Sequence, residues 1–306
     1  MTQISIDLEQ GHLPNTCQYT ARTRRGDYLV QVAWPQCWND DRVQPADDAP
    51  ISTIYLVDGN AYFFTAVDFT RRLESISGTR TVVVGVGYPV TKFLFDRRRA
   101  SDLTAPSPDD KYETVVGRDG KPMTGIKYGG ASDFLDVIQQ DIMPYVEGTL
   151  FPDAPLRTGR KALYGHSYGG LFTLNALFTK PTLFNTFIAA SPSIWFNKCS
   201  IVKNQEAAFR DREHAANPAP RVLITWGSGE QRLVQQPGES DEAFKKKKEF
   251  AEPKKMKDNA VAMAARLEKC PSVRNVYTWE FEGEDHGSAA PVALQRGVMK
   301  FLLEKK

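Results

Sequence analysis

Gly165-His166-Ser167-Tyr168-Gly169 is a G-x-S-x-G pentapeptide, a pattern that can present a serine hydroxyl as a nucleophile. The bare pattern is cheap: with glycine and serine each at about 7%, chance produces it about once in ten chains of this length. Its flanks give it meaning. KALY (161–164) reads as a strand ending just before it, and YGGLFTLNALF (168–178) as a helix starting just after. Strand, tight turn and helix make a nucleophile elbow, which lifts the serine Oγ above the sheet edge. The flanking glycines, extended by Gly170, leave room where side chains would collide with the neighbouring strand and helix.

A serine hydroxyl needs a base to take its proton at neutral pH. The chain has four histidines. His12 precedes the first strand. His166 lies inside the elbow, where its ring cannot turn back onto the adjacent serine. His214 falls in a polar helix end, DREHAANPAP. His286 remains, in Glu284-Asp285-His286-Gly287 just past the strand VYTWEF (276–281). The order nucleophile, acid, histidine suits this place for the base. The acid is then expected after RVLITW (221–226), where Gly227-Ser228-Gly229-Glu230 follows. Glu230 is the first candidate to orient the imidazole. Glu239, Asp241 and Glu242 are alternatives, and a Ser–His dyad is another. An acyl-transfer site also needs donors for the oxyanion. The backbone N–H of Tyr168 is one. The other is expected in Asp58-Gly59-Asn60, where Gly59 would allow a sharp turn that aims the Asn60 N–H inward. Asp58 itself is read as bracing that turn.

These residues need a frame. CQYTARTRR and YLVQVAW alternate and join at Gly26-Asp27, a hairpin signal. Continuous apolar runs follow at 51–57, 81–86, 161–164, 186–190, 221–226 and 276–281, the pattern of strands covered on both faces. Helical spacing appears in Phe134, Ile138, Ile142 and Tyr145, with Ser132 and Asp133 placed to cap the start. Helical patterns recur at Leu171–Phe178, stopped by Pro181, and at 260–267 and 293–303. Alternation of strands and helices predicts an α/β fold, a doubly wound, mostly parallel sheet with an antiparallel N-terminal hairpin at its edge. Residues 1–306 read as one domain, with excursions at about 91–127 and 228–257 bordering the site.

Composition narrows the function. The 306 residues carry 39 Lys+Arg against 37 Asp+Glu, a net charge of +2 that offers no footprint for nucleic acid. No apolar run reaches the roughly 18 residues of a membrane span. MTQISIDLEQGHLPN lacks a basic and an apolar segment, so a cytoplasmic location is expected. Cys17, Cys37, Cys199 and Cys270 lie far apart with no metal-ligand spacing, and read as buried thiols. No metal or cofactor is expected. Gly85-Val86-Gly87 lacks the third glycine of a dinucleotide loop. The lysine run 245–248, interrupted by Glu249 and Glu252, reads as a solvated helix face. Arg97-Arg98-Arg99 are candidates to hold an anionic or chelate-rich ligand, or to pair with Asp96 and Asp102. Trp195 and Phe196 are candidates for the acyl-pocket wall or for core.

YLVDGNAYF, GVGYP, RRRASDLTAP, GGASDFLDVIQQDIMPYVE, GHSYGG, SPSIWF, GSGEQ and GEDHGS occur here in that order. In this the chain resembles the esterase D branch of the α/β-hydrolases over about residues 15–305. Within it the chain is most similar to ferric-siderophore esterases, the enterobactin and salmochelin hydrolases and the fungal triacetylfusarinine esterases. The resemblance implies a serine esterase acting on an ester substrate of a siderophore, with or without bound iron. It places Ser167 and His286 in catalysis and the amides of Asn60 and Tyr168 in the oxyanion hole. Some members work with a dyad. The rivals are an esterase, lactonase or thioesterase acting on another ester, an acyltransferase, and a non-catalytic binding protein on the same scaffold.

Overall fold

The computed structural model describes residues 13–47, 49–89, 93–117 and 120–304. His12 and most of the N-terminal stretch lie outside these. Eight strands form one sheet: β1 (Thr16–Thr23), β2 (Gly26–Ala33), β3 (Ile51–Val57), β4 (Arg80–Gly87), β5 (Arg160–His166), β6 (Thr186–Ala190), β7 (Arg221–Gly227) and β8 (Asn275–Phe281). Their order is β1-β2-β4-β3-β5-β6-β7-β8. The six strands from β3 to β8 run parallel, while β1 pairs antiparallel with β2 and β2 with β4. This is the expected architecture. The hairpin turns two residues earlier than expected, at Arg24-Arg25, because Thr23 pairs with Gly26, whose φ of 104° suits glycine.

Two apolar layers cover the sheet, and the strands feed them alternately. Tyr55 and Val57 of β3 pack on one side with Phe134, Ile138, Leu171 and Phe172. Ile54 and Leu56 pack on the other with Phe63, Val67, Leu294 and Phe301. The first layer draws on residues 131–150 and on the helix that follows β5, Tyr168–Thr179. The second is supplied by Gly59–Ser77 and Ala289–Leu303.

Gly59–Ser77 is a 19-residue helix with no counterpart among the helical patterns read from the sequence. Its signal was present: Tyr62, Phe63, Ala66, Val67, Thr70 and Leu73 are buried at helical spacing. The helix over Ala131–Val137 is not capped by Ser132 or Asp133. Gly130 takes the N-cap, and Asp133 instead accepts from Arg25 Nη1 at 2.8 Å. Of the cysteines only Cys270 is buried; Cys37 is exposed, and Cys17 and Cys199 are half-buried. Among the described residues no helix is long and apolar enough to cross a membrane.

Candidate active site

The elbow follows β5 directly. Ser167 has φ 61° and ψ −116°, a conformation strained for a non-glycine residue and one that costs on the order of 1–3 kcal/mol. The turn closes so tightly that a Cβ on Gly165 would lie 2.1 Å from the Gly169 carbonyl oxygen. A Cβ on Gly170 would lie 2.7 Å from Ala190 O. Glycine is required here by close approach rather than by φ. Helix α1 (Tyr168–Thr179) begins at the next residue, and its first N–H groups have no acceptor within the helix. The Tyr168 amide is thus free to meet a developing oxyanion beside Ser167, at the positive end of the helix dipole.

Three strand ends then supply one hydrogen-bonded line. His286 Nε2 lies 3.0 Å from Ser167 Oγ, and His286 Nδ1 lies 2.6 Å from Glu230 Oε2. Glu230 is buried in the turn after β7. Its other oxygen accepts from Gly227 N–H at 2.7 Å and from the Ser191 hydroxyl at 2.5 Å. The carboxylate therefore has one oxygen fixed by the protein frame and one left for the imidazole. Such a line can deprotonate a serine hydroxyl and return the proton to a leaving group. The alternatives for the acid fall away from it: Asp241 and Glu242 are exposed, Asp241 pairs with Gln235, and half-buried Glu239 accepts from the Gln236 N–H.

His166 acts on the loop that carries His286, a connection the sequence did not reveal. Its Nε2–H donates to the His286 carbonyl at 2.7 Å, so its Nδ1 accepts from the Tyr62 hydroxyl at 3.0 Å. Burial, with His286 beside it, pushes the His166 imidazole down to about 3, which keeps it neutral. The dismissal of His166 as a base agrees with this geometry. The signal that could have found its second role is a buried-type position at a strand end facing the last loop. Asp285 braces the same loop from the other side, its Oδ1 accepting from Gly287 and Ser288 N–H.

Around Asp58 the expectation needs correction. The left-handed residue is Asp58 itself, with φ 55° and ψ 45°, and not Gly59. Gly59 is needed because a Cβ there would sit 2.7 Å from the Gly85 carbonyl carbon. Asn60 lies in the first helical turn that follows. Its side chain ties down Tyr88, accepting from the Tyr88 N–H at 2.8 Å and donating to the Tyr88 carbonyl at 3.0 Å. Asp58 is buried in a two-point ion pair with Arg99, at 2.9 and 2.8 Å. Burial works against the Arg99 charge, but Asp58 outweighs it and holds the guanidinium's pKa above its ordinary value.

A cavity of about 700 Å³ opens over Ser167. Both excursions wall it, Val115–Gly117 and Met123 from the first, Leu233 and residues 243–254 from the second. Trp195 lines it, whereas Phe196 is buried in the core. Of the three arginines only Arg99 reaches the wall, and Asp58 already holds it. Arg97 and Arg98 do not line the cavity. Arg98 lies over the rings of Tyr28 and Tyr88, at 4.2 and 4.9 Å, and donates to Asp27 O. The arginine cluster therefore serves the frame, because buried Asp58 and Asp102 need cationic partners. The lysine run lies on an exposed helix, as read from the sequence, and two of its residues, Lys246 and Lys247, also line the cavity. Among the described residues no group of three or more His, Cys, Asp or Glu side chains is arranged to hold a metal ion.

The chain is similar to known proteins over most of its length. The family model described as Putative esterase matches residues 24–279. The chain is 41% identical over 281 residues to a siderophore enterobactin esterase of Emericella nidulans, covering 91% of this chain and 90% of that protein. It is 36% identical over 293 residues to a siderophore triacetylfusarinine C esterase of Aspergillus fumigatus, covering 94% of each. Among solved structures, the siderophore hydrolase EstA from Aspergillus nidulans superposes with a TM-score of 0.89 at 38% identity, over 98% of both chains.

Proposed function

The chain belongs to the esterase family and is a carboxylic ester hydrolase, and from that premise we propose that it opens the ester bonds of an iron-loaded siderophore inside the cell, through an acyl-enzyme on Ser167. The observation that carries this reading is the unbroken line from Ser167 Oγ through His286 to Glu230 at the foot of a roomy cavity. Two relatives bear on the substrate, since their names specify enterobactin and triacetylfusarinine C. About 700 Å³ also suits a substrate of drug size or larger, not a short acyl ester alone.

The mechanism follows from the atoms. His286 Nε2 takes the proton of Ser167 Oγ as the oxygen attacks the ester carbonyl. The carbonyl oxygen becomes an oxyanion held by the Tyr168 and Asn60 amides. The C–O bond to the leaving alkoxide then breaks, and the imidazolium gives that alkoxide its proton. Water, deprotonated by the same nitrogen, attacks the acyl-enzyme and frees the acid and Ser167. Glu230 keeps the Nδ1 proton in place and stabilises the imidazolium. On this reading residues 1–306 form one domain that works in the cytoplasm on a chelate already imported.

Mass spectrometry of ferric enterobactin and ferric triacetylfusarinine C incubated with the protein tests it. The expected products are the linearised ester and then its hydroxy-acid units. If neither is opened while simple lactones, thioesters or aryl esters turn over quickly, the substrate assignment is wrong.

A further inference from the structure

Between β6 and Phe196 the chain runs through Ser191-Pro192-Ser193, and both of these serines reach the catalytic line. The segment is pinned at the sheet edge. Ser191 N–H donates to Thr225 O at 2.8 Å, and Ser193 N–H donates to the Ser167 carbonyl at 3.1 Å. From the elbow, Ser167 N–H reaches Ala190 O at 3.0 Å. Gly170 makes room for the crossing, since a Cβ on it would lie 2.9 Å from Pro192 Cα. Ser191 has φ 41°, in the left-handed region that a non-glycine residue enters only at a cost. Strain of this kind persists where the surroundings impose it, and here the two hydroxyls that flank Pro192 meet the two ends of the Glu230–His286–Ser167 line.

Ser191 Oγ donates to Glu230 Oε1 at 2.5 Å. Ser193 Oγ lies 3.4 Å from Ser167 Oγ. Ser193 is 2% exposed and lines the cavity, and its hydroxyl has no other hydrogen-bond partner among the described residues. The direction of this bond follows from the rest of the line. Glu230 holds the proton on His286 Nδ1, so Nε2 presents a lone pair and accepts the Ser167 hydroxyl proton. Ser167 has no second proton to give, and the Ser193 O–H therefore donates to Ser167 Oγ. A serine oxygen carries one proton and two lone pairs. With the proton turned to His286 and one lone pair to Ser193, the other lone pair is left for the ester carbonyl carbon.

We propose that Ser193 is a further catalytic residue, whose hydroxyl donates to the nucleophilic oxygen and holds it in the attacking orientation. The inference rests on the assignment of Ser167 as nucleophile. Without this donor Ser167 Oγ is free to leave its rotamer, because a serine χ1 has three staggered wells. Ser193 also acts on charge. As His286 takes the proton, negative charge grows on Ser167 Oγ before its bond to the carbonyl carbon is complete. The charge grows there again in deacylation, when the C–Oγ bond breaks, the electron pair returns to Oγ and His286 gives back the proton. A hydroxyl that donates to this atom binds it more strongly as the charge rises. A bond that is long in the free enzyme shortens on the way to the transition state. The Ser193 proton stays on its own oxygen throughout. Because the bond is made to the enzyme's own oxygen and not to the substrate, its loss lowers the rate and leaves the affinity.

Covalent labelling reads this role apart from ester binding. Phenylmethanesulfonyl fluoride is added to the wild-type and Ser193→Ala proteins, and mass spectrometry follows the sulfonylated serine. Ser167 Oγ attacks the sulfur, fluoride leaves, and His286 takes the hydroxyl proton. Ser193→Ala is expected to label about tenfold more slowly, and to lose about the same factor in kcat for a short aryl ester. Its KM is expected to stay within about twofold, with the melting temperature unchanged. Ser193→Thr, which keeps a hydroxyl, is expected to recover most of the rate. Labelling of Ser193→Ala within about twofold of wild type would overturn the inference. So would a Ser193→Thr protein that melts as wild type and labels as slowly as Ser193→Ala. Wild-type protein that takes no label on Ser167 is a different result, and strikes the assignment of the nucleophile.

Discussion

Replacing Glu230 by Gln tests the chemistry of the site more sharply than deleting any of its members. Glu230 Oε1 accepts from two groups, the Gly227 N–H at 2.7 Å and the Ser191 hydroxyl at 2.5 Å. A backbone N–H cannot turn away, so the glutamine must put its carbonyl oxygen there and not its NH2. The NH2 then faces His286 Nδ1, where Oε2 lay 2.6 Å away. Two donors cannot share that contact, and the imidazole is driven to the tautomer with its proton on Nε2. That nitrogen now donates toward Ser167, 3.0 Å away, and cannot accept its proton. A change that leaves the geometry intact but fixes the wrong tautomer lowers kcat by about 10⁴, or about 5 kcal/mol of transition-state stabilisation. Steady-state hydrolysis of a short aryl ester measures it, with thermal melting to show that the fold persists. The loss should stay smaller than that of Ser167→Ala, since no covalent chemistry is removed. A Glu230→Gln enzyme within tenfold of wild-type kcat would refute the argument and leave Ser167 and His286 working as a dyad.

Ser167→Ala and His286→Ala should each abolish turnover of the same aryl ester, with the double variant little worse than either, because the two act as a unit; a few per cent of activity left in Ser167→Ala would end the serine mechanism. His166 is neutral in the folded protein, with a pKa near 3 against an ordinary 6.5, so the unfolded chain binds the extra proton. Stability should therefore be full above about pH 6.5 and fall as the pH drops toward 3, by as much as ~5 kcal/mol from this group. Urea midpoints across that range should flatten in His166→Phe, which starts less stable because Tyr62 and the His286 carbonyl lose their partner. Arg99→Gln leaves buried Asp58 with no cation and should cost about 3–5 kcal/mol, read as a large drop in melting temperature; a drop confined to substrate affinity would return Arg99 to a ligand-binding role.

The frame was legible because six strands are written as continuous apolar runs and two as an alternating hairpin, and the eight strands of the described residues lie where those patterns lie. The same runs located the strand ends, and the three strand ends located Ser167, Glu230 and His286. What escaped was information carried by tertiary contact. Pairing of the arginines with Asp102 was one of two readings and holds for Arg98, but the partner of Arg99 was missed because a sequence does not display that buried Asp58 faces it. Asp58 and Gly59 exchanged roles because a left-handed residue and a residue crowded by another strand leave similar traces. His166 was seen only as not being the base, since its partner is a backbone carbonyl 120 residues away. The lysine run gave a solvated helix face correctly but not that two of its lysines line the cavity, because a sequence does not display what Asp241–Ala251 borders.

That last miss points to how the molecule divides its tasks. The reacting groups stand on the ends of buried strands, where Gly165 and Gly170 admit no side chain and Glu230 is locked by three hydrogen bonds. Nothing there can change without loss of the reaction. The walls come from segments of the opposite kind: Asp241–Ala251 buries no residue, and Val115–Gly117 is held to residues 121–123 by a short bridge at Val116 and Pro122 with two backbone hydrogen bonds beside it. Substitutions there remove little core contact, so the cost to stability of changing the wall is within the usual few tenths of a kcal/mol for surface sites. Charge and shape of the cavity can therefore be altered with the reaction held fixed. The lining of the cavity is then set by Asp241–Ala251 and Val115–Gly117, and the ester chemistry is a property of the sheet edge beneath them.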